Sequence, residues 1–370
     1  MPPVSTIFLC GDVMTGRGID QILPHPSAPH IFEPYLKDAR GYLTLAERAH
    51  GGIPQPAGFT YPWGEAFEVW EKMAPDLRII NLETSVTRSE EYWKGKGINY
   101  RMHPENLPCL TGAEIDACTL ANNHVLDWGY SGLQETLGTL HGAGVKTAGA
   151  GRSQEEAAAP AELVVPGKGA VQLFGFGVDS SGIPDIWGAG AGKPGVNLLP
   201  DLSAATVARI ATRIKTVKTA GNTVIASLHW GGNWGFEVSQ EEREFAHRLI
   251  DSAGVDIVHG HSSHHVKGIE LYRGRLVIYG CGDFINDYEG IRGYQEFRGE
   301  LGLMYFADID AATGELARLT MVPTRQRRFR IQLATASETA WLTETLNREG
   351  KRFGTCVRPG EEGALHLERL

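Results

Sequence analysis

Six short apolar runs along the chain each break off in polar or glycine-rich residues: TIFLCGD (6–12), RIINLE (78–83), DACTLANNH (116–124), TVIASLHWGG (223–232), VDIVHGH (255–261) and LVIYGCGDF (276–284). Near-continuous hydrophobicity over so few positions predicts strands buried on both faces. Between the runs the period changes to that of helices. Residues 203–219 place Val207, Ile210, Ile214 and Val217 on one face and stop before Gly221. Over 239–253, Ser239 and Glu242 form a capping-box pattern ahead of Phe245, Leu249 and Ile250, with Gly254 as the stop. A third helix is predicted over 131–142, with Leu133, Leu137 and Leu140 inward. Strands alternating with helices predict an α/β sheet, in which sites form where strands end.

Two Gly/Pro-rich insertions, 50–67 and 182–200, read either as binding loops or as surface padding. The tail from about 326 is charged and helix-like. The expected organisation is one domain over 1–325, with an extension over 326–370 packed on it. Composition adds limits. The chain has 370 residues, 42% hydrophobic, enough for a large core, and its formal charge of -9 argues against nucleic acid or an anionic membrane as partner. Five cysteines without a CxxC pair argue against a disulfide framework or a thiolate zinc knuckle. Cys10, Cys118 and Cys281 sit in strand-like runs and read as buried thiols. No basic segment followed by a long apolar run opens the sequence, and no stretch approaches the length of a membrane span, so the expectation is a soluble, cytoplasmic protein.

The polar residues that follow the strands change the picture most. They are Asp12, Asn81, Glu83, Asn123, His124, His229, His261, His264 and Asp283. Carboxylates, amide oxygens and imidazoles without thiolates suit a hard or borderline divalent ion such as calcium, manganese, iron or zinc. Singly, each has a plain structural explanation: a strand-end Asp caps a turn, and a lone His satisfies a hydrogen bond. In VDIVHGHSSHHVKG, His261 and His264 are the candidate site residues, as ligands or acid/base groups, while His259 reads as a buried neighbour and His265 as a looser one. His124 and Asp127 have the spacing of an acid/base pair, although Asp127 also suits the cap of the helix near 131. Trp128, Trp230 and Trp234, with Trp63 and Trp187 in the insertions, are candidates to bracket an apolar peptide end, or ordinary core residues.

The ordered set GD, NxE, NNHxxDxG, HWG, GHxxH and GDF resembles the CapA-like, poly-γ-glutamate capsule synthesis family, a branch of the calcineurin-like metallophosphoesterase superfamily, over roughly residues 5–325. The resemblance implies a four-layer αββα sandwich with a metal site at one edge of its two central sheets. It matches Asp12 to the first-motif aspartate, Asn81 and Glu83 to the second motif, and Asn123 to the metal-facing amide. His124 and Asp127 match the dyad near the substrate, and His229 with His261 or His264 the late histidines. Three departures stand out. Met14 replaces the histidine of the usual DxH, Asn81 and Glu83 replace a bridging Asp, and Ser262 and Ser263 separate histidines that usually form His-x-His.

These departures favour one divalent metal over two, with Asp12, Glu83, Asn123, His229, His261 and Asp283 as the expected ligands. The expected catalytic groups are His124 with Asp127, opposed by His264 or His261 with Asp12 or Asp283. The family includes a branch that epimerises a Cα centre in lasso-peptide precursors. The leading expectation is therefore a metal-dependent peptide epimerase in ribosomal peptide maturation, with a peptide substrate. The alternatives are a metal-dependent phosphoesterase, a poly-γ-glutamate-related enzyme, or an inactive peptide-binding protein.

Overall fold

The computed structural model describes residues 4–370. A ten-stranded sheet runs, in spatial order, through Thr355–Pro359, Leu365–Arg369, Leu316–Gln326, Leu301–Asp310, Val4–Val13, Leu77–Leu82, Ala117–Thr119 and Lys146–Ala148. Asp283–Ile285 joins Val4–Val13, and Ile331–Leu333 joins Leu316–Gln326. A six-stranded sheet runs through Ile269–Tyr272, Arg275–Ile278, Ile257–His261, Thr223–His229, Gly169–Gly177 and Ala161–Val165.

Strand alternation sorts the side chains into layers. Ile7 and Leu9 point into an inter-sheet core with Ile79, Leu173, Ile225, Ile257 and Ile278. Phe8 and Cys10 point the other way, into a core with Trp70, Leu133 and Leu137 of the helices Ala66–Met73 and Gly129–Gly142. On the far side of the smaller sheet, Val224, Ala226, Leu228 and Val258 meet Val207, Ile210, Ile214 and Phe245 of the helices Ala204–Val217 and Gln240–Arg248. Helix, sheet, sheet and helix form the expected α/β sandwich. Each large aliphatic or aromatic side chain fully buried in these layers contributes roughly 1.5–3 kcal/mol against the ordering entropy.

The capping box of Ser239 and Glu242 is present, and the helix it opens widens into a π-turn over Leu249–Ala253 before Gly254 stops it in the left-handed region (φ 75°). Two apolar runs divide differently from expectation. Strand structure in 116–124 ends at Thr119, and the rest forms the turn that carries His124. The run 276–284 splits between sheets, with Arg275–Ile278 in the smaller and Asp283–Ile285 in the larger. The tail is more than a helix: beside Ala336–Gly350 it supplies Thr355–Pro359 and Leu365–Arg369, which extend the larger sheet through Leu316–Gln326. Both insertions are anchored by buried side chains, Ile53 and Trp63 in one, Ile183 and Trp187 in the other. All five cysteines are free thiols, with Cys10, Cys118 and Cys281 buried. Among the described residues no helix is long and apolar enough to cross a membrane.

Candidate metal and acid/base centre

Sheet register brings the strand-end residues together. Asp12 lies opposite Asn81 on one side and Asp283 on the other, and in the second sheet His229 lies opposite His261. The sheets are tied at this edge by His259 Nε2, 2.8 Å from the Cys10 carbonyl, and by Ser227 Oγ, which donates to Thr119 Oγ1 at 3.3 Å. The two GD glycines have different causes: a Cβ on Gly11 would sit 1.8 Å from the Gly282 carbonyl oxygen, which accepts from the Asp12 N–H at 3.0 Å, and Gly282 itself has φ 80°.

Asp12, His229 and His261 each offer a donor atom within 4.8 Å of the others. His229 Nδ1 and His261 Nδ1 face each other at 2.7 Å. The far nitrogen of His261 meets Ser227 Oγ at 2.8 Å, and that of His229 meets Asn123 Oδ1 at 3.1 Å. Burial, reinforced by His124 beside His229 and by His229 beside His261, holds both imidazoles well below the usual histidine range, leaving them neutral. Burial and the nearby Asp283 push Asp12 up to about 7; burial and Asp12 likewise raise Glu83. Buried carboxylates crowded beside neutral imidazoles form a donor set that fits a divalent ion.

Asn81 is not among those donors. Its Nδ2 donates to Asp12 Oδ1 (2.7 Å) and Glu83 Oε2 (3.2 Å), and its Oδ1 accepts from Asn122 (3.1 Å), so it orients the carboxylates. Met14 is buried, with its sulfur 3.6 Å from the Tyr288 hydroxyl. Neither supports a second ion.

Two His/Asp pairs flank this cluster. His124 Nδ1 lies 2.6 Å from Asp127 Oδ2, which also accepts the Tyr100 N–H at 2.6 Å; Asp127 therefore orients an imidazole instead of capping a helix. His264 Nδ1 lies 2.9 Å from Asp283 Oδ1, and Asn286 Nδ2 donates to the other Asp283 oxygen at 2.8 Å. Both imidazoles line one cavity of about 220 Å³, together with Glu83, Lys96, Asn123 and Tyr288. Their electrostatics diverge. Burial outweighs the charge of Asp127 and, with Lys96 adding to it, lowers His124 to about 4. For His264, burial is overcome by the charge and hydrogen bond of Asp283, and the net shift is upward.

Several residues here left no sequence signal. Lys96 reaches Asp127 Oδ1 at 2.7 Å and lies 2.9 Å from His124 Nδ1. The Tyr100 ring meets His124 edge-on (4.4 Å between centroids), the Tyr288 ring meets His264 the same way (5.3 Å), and the two hydroxyls bond at 3.0 Å. Arg17, held by Asp287 and by Glu33 (2.7 Å), lies beneath Tyr42 and Tyr100. Its place in GDVMTGRG, directly after the first strand, is the one clue the sequence offered.

Other expectations need correction. Asp283, expected as a ligand, has one oxygen on His264 and the other on Asn286 and stands outside the group formed by Asp12, His229 and His261. Asp12, a candidate partner for His264, instead accepts from Asn81 and from the Ser262 N–H (3.1 Å). Glu83 Oε1 stands 3.9 Å from His229 Nε2 and 3.8 Å from His124 Nε2, beside the cluster. Trp128 and Trp230 do not bracket a ligand: both are buried, with indole N–H groups on the carbonyls of Tyr100 and Tyr279. Trp63 and Trp187 are likewise core residues, whereas Trp234 lines an open cavity. His259 and His265 are buried and bonded to the backbone.

A two-sheet α/β sandwich with buried carboxylate and imidazole donors at its strand ends defines a CapA-like, metallophosphoesterase-type fold. The sequence matches the family described as "Bacterial capsule synthesis protein PGA_cap" over residues 6–288, and the chain belongs to that family. It is 47% identical over 367 residues, 99% of this chain and 96% of the relative, to a probable polyglutamine synthesis accessory protein of Mycobacterium tuberculosis. It is 25% identical over 280 residues to the PGA biosynthesis protein CapA of Bacillus subtilis, covering 75% of this chain and 62% of that protein. To the capsule biosynthesis protein CapA of Bacillus anthracis it is 24% identical over 291 residues, covering 76% and 60%.

Proposed function

We propose that this protein is a metal-assisted acid/base enzyme that exchanges the Cα proton of a residue in a peptide substrate and so inverts that centre. The observation that carries this reading is the pair of His/Asp dyads, contributed by separate segments and lining one cavity. Cα inversion requires one group to take the proton from one face and a second to return a proton to the other. His124 Nε2 accepts the Cα proton as the C–H bond breaks, and the electron pair moves into the adjacent carbonyl to give an enolate. His264, held as the proton donor by Asp283, protonates the carbanion carbon from the opposite side. The reverse direction exchanges the roles. Asp12, His229 and His261, with Asn123 beside them, would hold one divalent ion, which when bound supplies positive charge close to the developing oxyanion.

A second reading is hydrolysis or transfer on a polyglutamyl chain at the same centre. It is supported by the names of the relatives, which concern polyglutamine and PGA synthesis. One experiment separates the two. Peptides and γ-linked glutamate oligomers are incubated with the enzyme in deuterium oxide, with and without chelator, and analysed by mass spectrometry beside a phosphate-release assay. A gain of one deuteron at one Cα supports the epimerase; chain cleavage or phosphate release without exchange overturns it in favour of a hydrolase.

A further inference from the structure

A second cavity, about 430 Å³, opens from the dyad cavity and shares Ile98, Asn233, His264 and Tyr288 with it. One side of its wall is aromatic, the other polar and charged. Trp234 lies 5.3 Å from the His264 ring and stacks on Tyr294 at 4.4 Å with 9° between planes, and Phe297 closes the stack at 5.6 Å. Large apolar groups stay in water along it: Tyr294 is 55% exposed, Ile291 48% and Tyr35 70%.

The strap that carries Tyr294 is conformationally costly. Tyr294 (φ 63°) and Arg298 (φ 50°) both adopt the left-handed region that non-glycine residues avoid, following Gly290 and Gly293, which favour it (φ 82° and 120°). Strain of this kind collects at ligand clamps, and here it sets an exposed tyrosine flat against Trp234. Most charges around the cavity are paired within the protein: Arg17 is held by Asp287 and Glu33, His50 by Glu289 (2.6 Å), and Glu300 by Arg298, while Arg292 stands exposed at the rim. An apolar side chain gains the aromatic face of Trp234 and Tyr294.

We infer that this trough binds a bulky apolar side chain, aromatic or branched aliphatic, of an extended peptide whose neighbouring residue sits between the two dyads. The inference rests on the reading of the dyad cavity as a peptide-processing site. It selects an apolar peptide over a polyglutamyl chain as the substrate class. Tyr294 and Trp234 are specificity residues in this scheme, with no part in proton transfer.

The test measures binding, which does not depend on turnover. End-blocked hexapeptides of glycine carrying one Phe, Leu, Ala or Glu, and a γ-linked glutamate hexamer, are titrated calorimetrically into the full-length protein. The Phe and Leu peptides should bind about tenfold or more tighter than the Ala, Glu and γ-glutamyl probes. Trp234→Ala, and separately the more exposed Tyr294→Ala, should cut that preference to about threefold or less while leaving the melting temperature in place. Equal binding of Phe and Ala peptides, tighter binding of the γ-glutamyl hexamer, a preference surviving both variants, or no binding by any probe overturns the inference. Selective binding without Cα exchange keeps the trough and discards the epimerase; exchange without selectivity does the reverse.

Discussion

The two His/Asp pairs use the same chemistry and are built in opposite ways. His124 and Asp127 are three residues apart on one turn, and Lys96 beside them adds a cation that opposes protonation of the imidazole. His264 and Asp283 are nineteen residues apart; the histidine follows a strand of the smaller sheet, and the aspartate begins a strand of the larger. At His264 the charge and hydrogen bond of Asp283, with the charge of Asp12, outweigh burial and Arg17 and favour the protonated form. The difference teaches that a protein can prepare a base and an acid from one residue type by choosing the neighbours, a local cation in one case and carboxylates from a second sheet in the other.

The strongest way to break the comparison is to remove one imidazole at a time. His124→Ala and His264→Ala should each lower peptide epimerisation by about 10²–10⁴-fold. If the two act on opposite faces, each variant should still exchange deuterium into one stereoisomer of the substrate, and the surviving isomer should differ between them. Mass spectrometry on both isomers checks this; identical losses on both isomers would show that the pairs act as a single unit.

Next in size is the metal cluster between them. His261→Ala or Asp12→Asn should lower bound divalent metal, measured by elemental analysis, from about one equivalent to near none, whereas Asp283→Asn should leave it in place because that carboxylate serves His264. Loss of metal in Asp283→Asn would return the aspartate to the ligand set. A smaller effect, about 10–100-fold in turnover, is expected for Lys96→Met, comparable to the loss of other groups that orient a reactive side chain. Lys96→Arg should recover part of it, and the His264 side should keep its stereoisomer preference.

A further prediction concerns pH and stability. His259 is fully buried, and burial lowers it to about 4. Its unfolded counterpart titrates near 6.5, so between these values the unfolded chain binds the extra proton. Stability is therefore fully present above about pH 6.5 and falls as pH drops toward 4, by up to about 3 kcal/mol from this group. Asp12, raised to about 7, pulls the opposite way over the same range. The difference in urea midpoint between the wild type and His259→Asn across pH isolates the histidine; parallel profiles would refute it. The smallest effect belongs to Tyr100→Phe, which removes one buried hydroxyl link between the two dyad walls and should cost about 1 kcal/mol, readable by thermal unfolding.

What could be read from the residues follows their separation along the chain. The apolar runs announced most of the central strands, and the period of Val207, Ile210 and Ile214 announced a helix, because burial on both faces of a strand or one face of a helix leaves a repeating trace. Strands such as Leu301–Asp310 and Leu316–Gln326 were not among the runs singled out. His124 and Asp127 were recognisable as a pair because one turn of backbone holds them within reach. The partner of His264, the burial of Trp128 and Trp230, and the approach of Lys96 to the first dyad came only from the tertiary structure. Those outcomes depend on strand register and on how two sheets and the loop around 96–100 pack, quantities set by the sum of distant contacts. The sequence by itself determined the donors at the strand ends; the packing of the two sheets decided which of them face each other, because sheet register, and not chain distance, sets the few ångströms on which ligation and proton transfer depend.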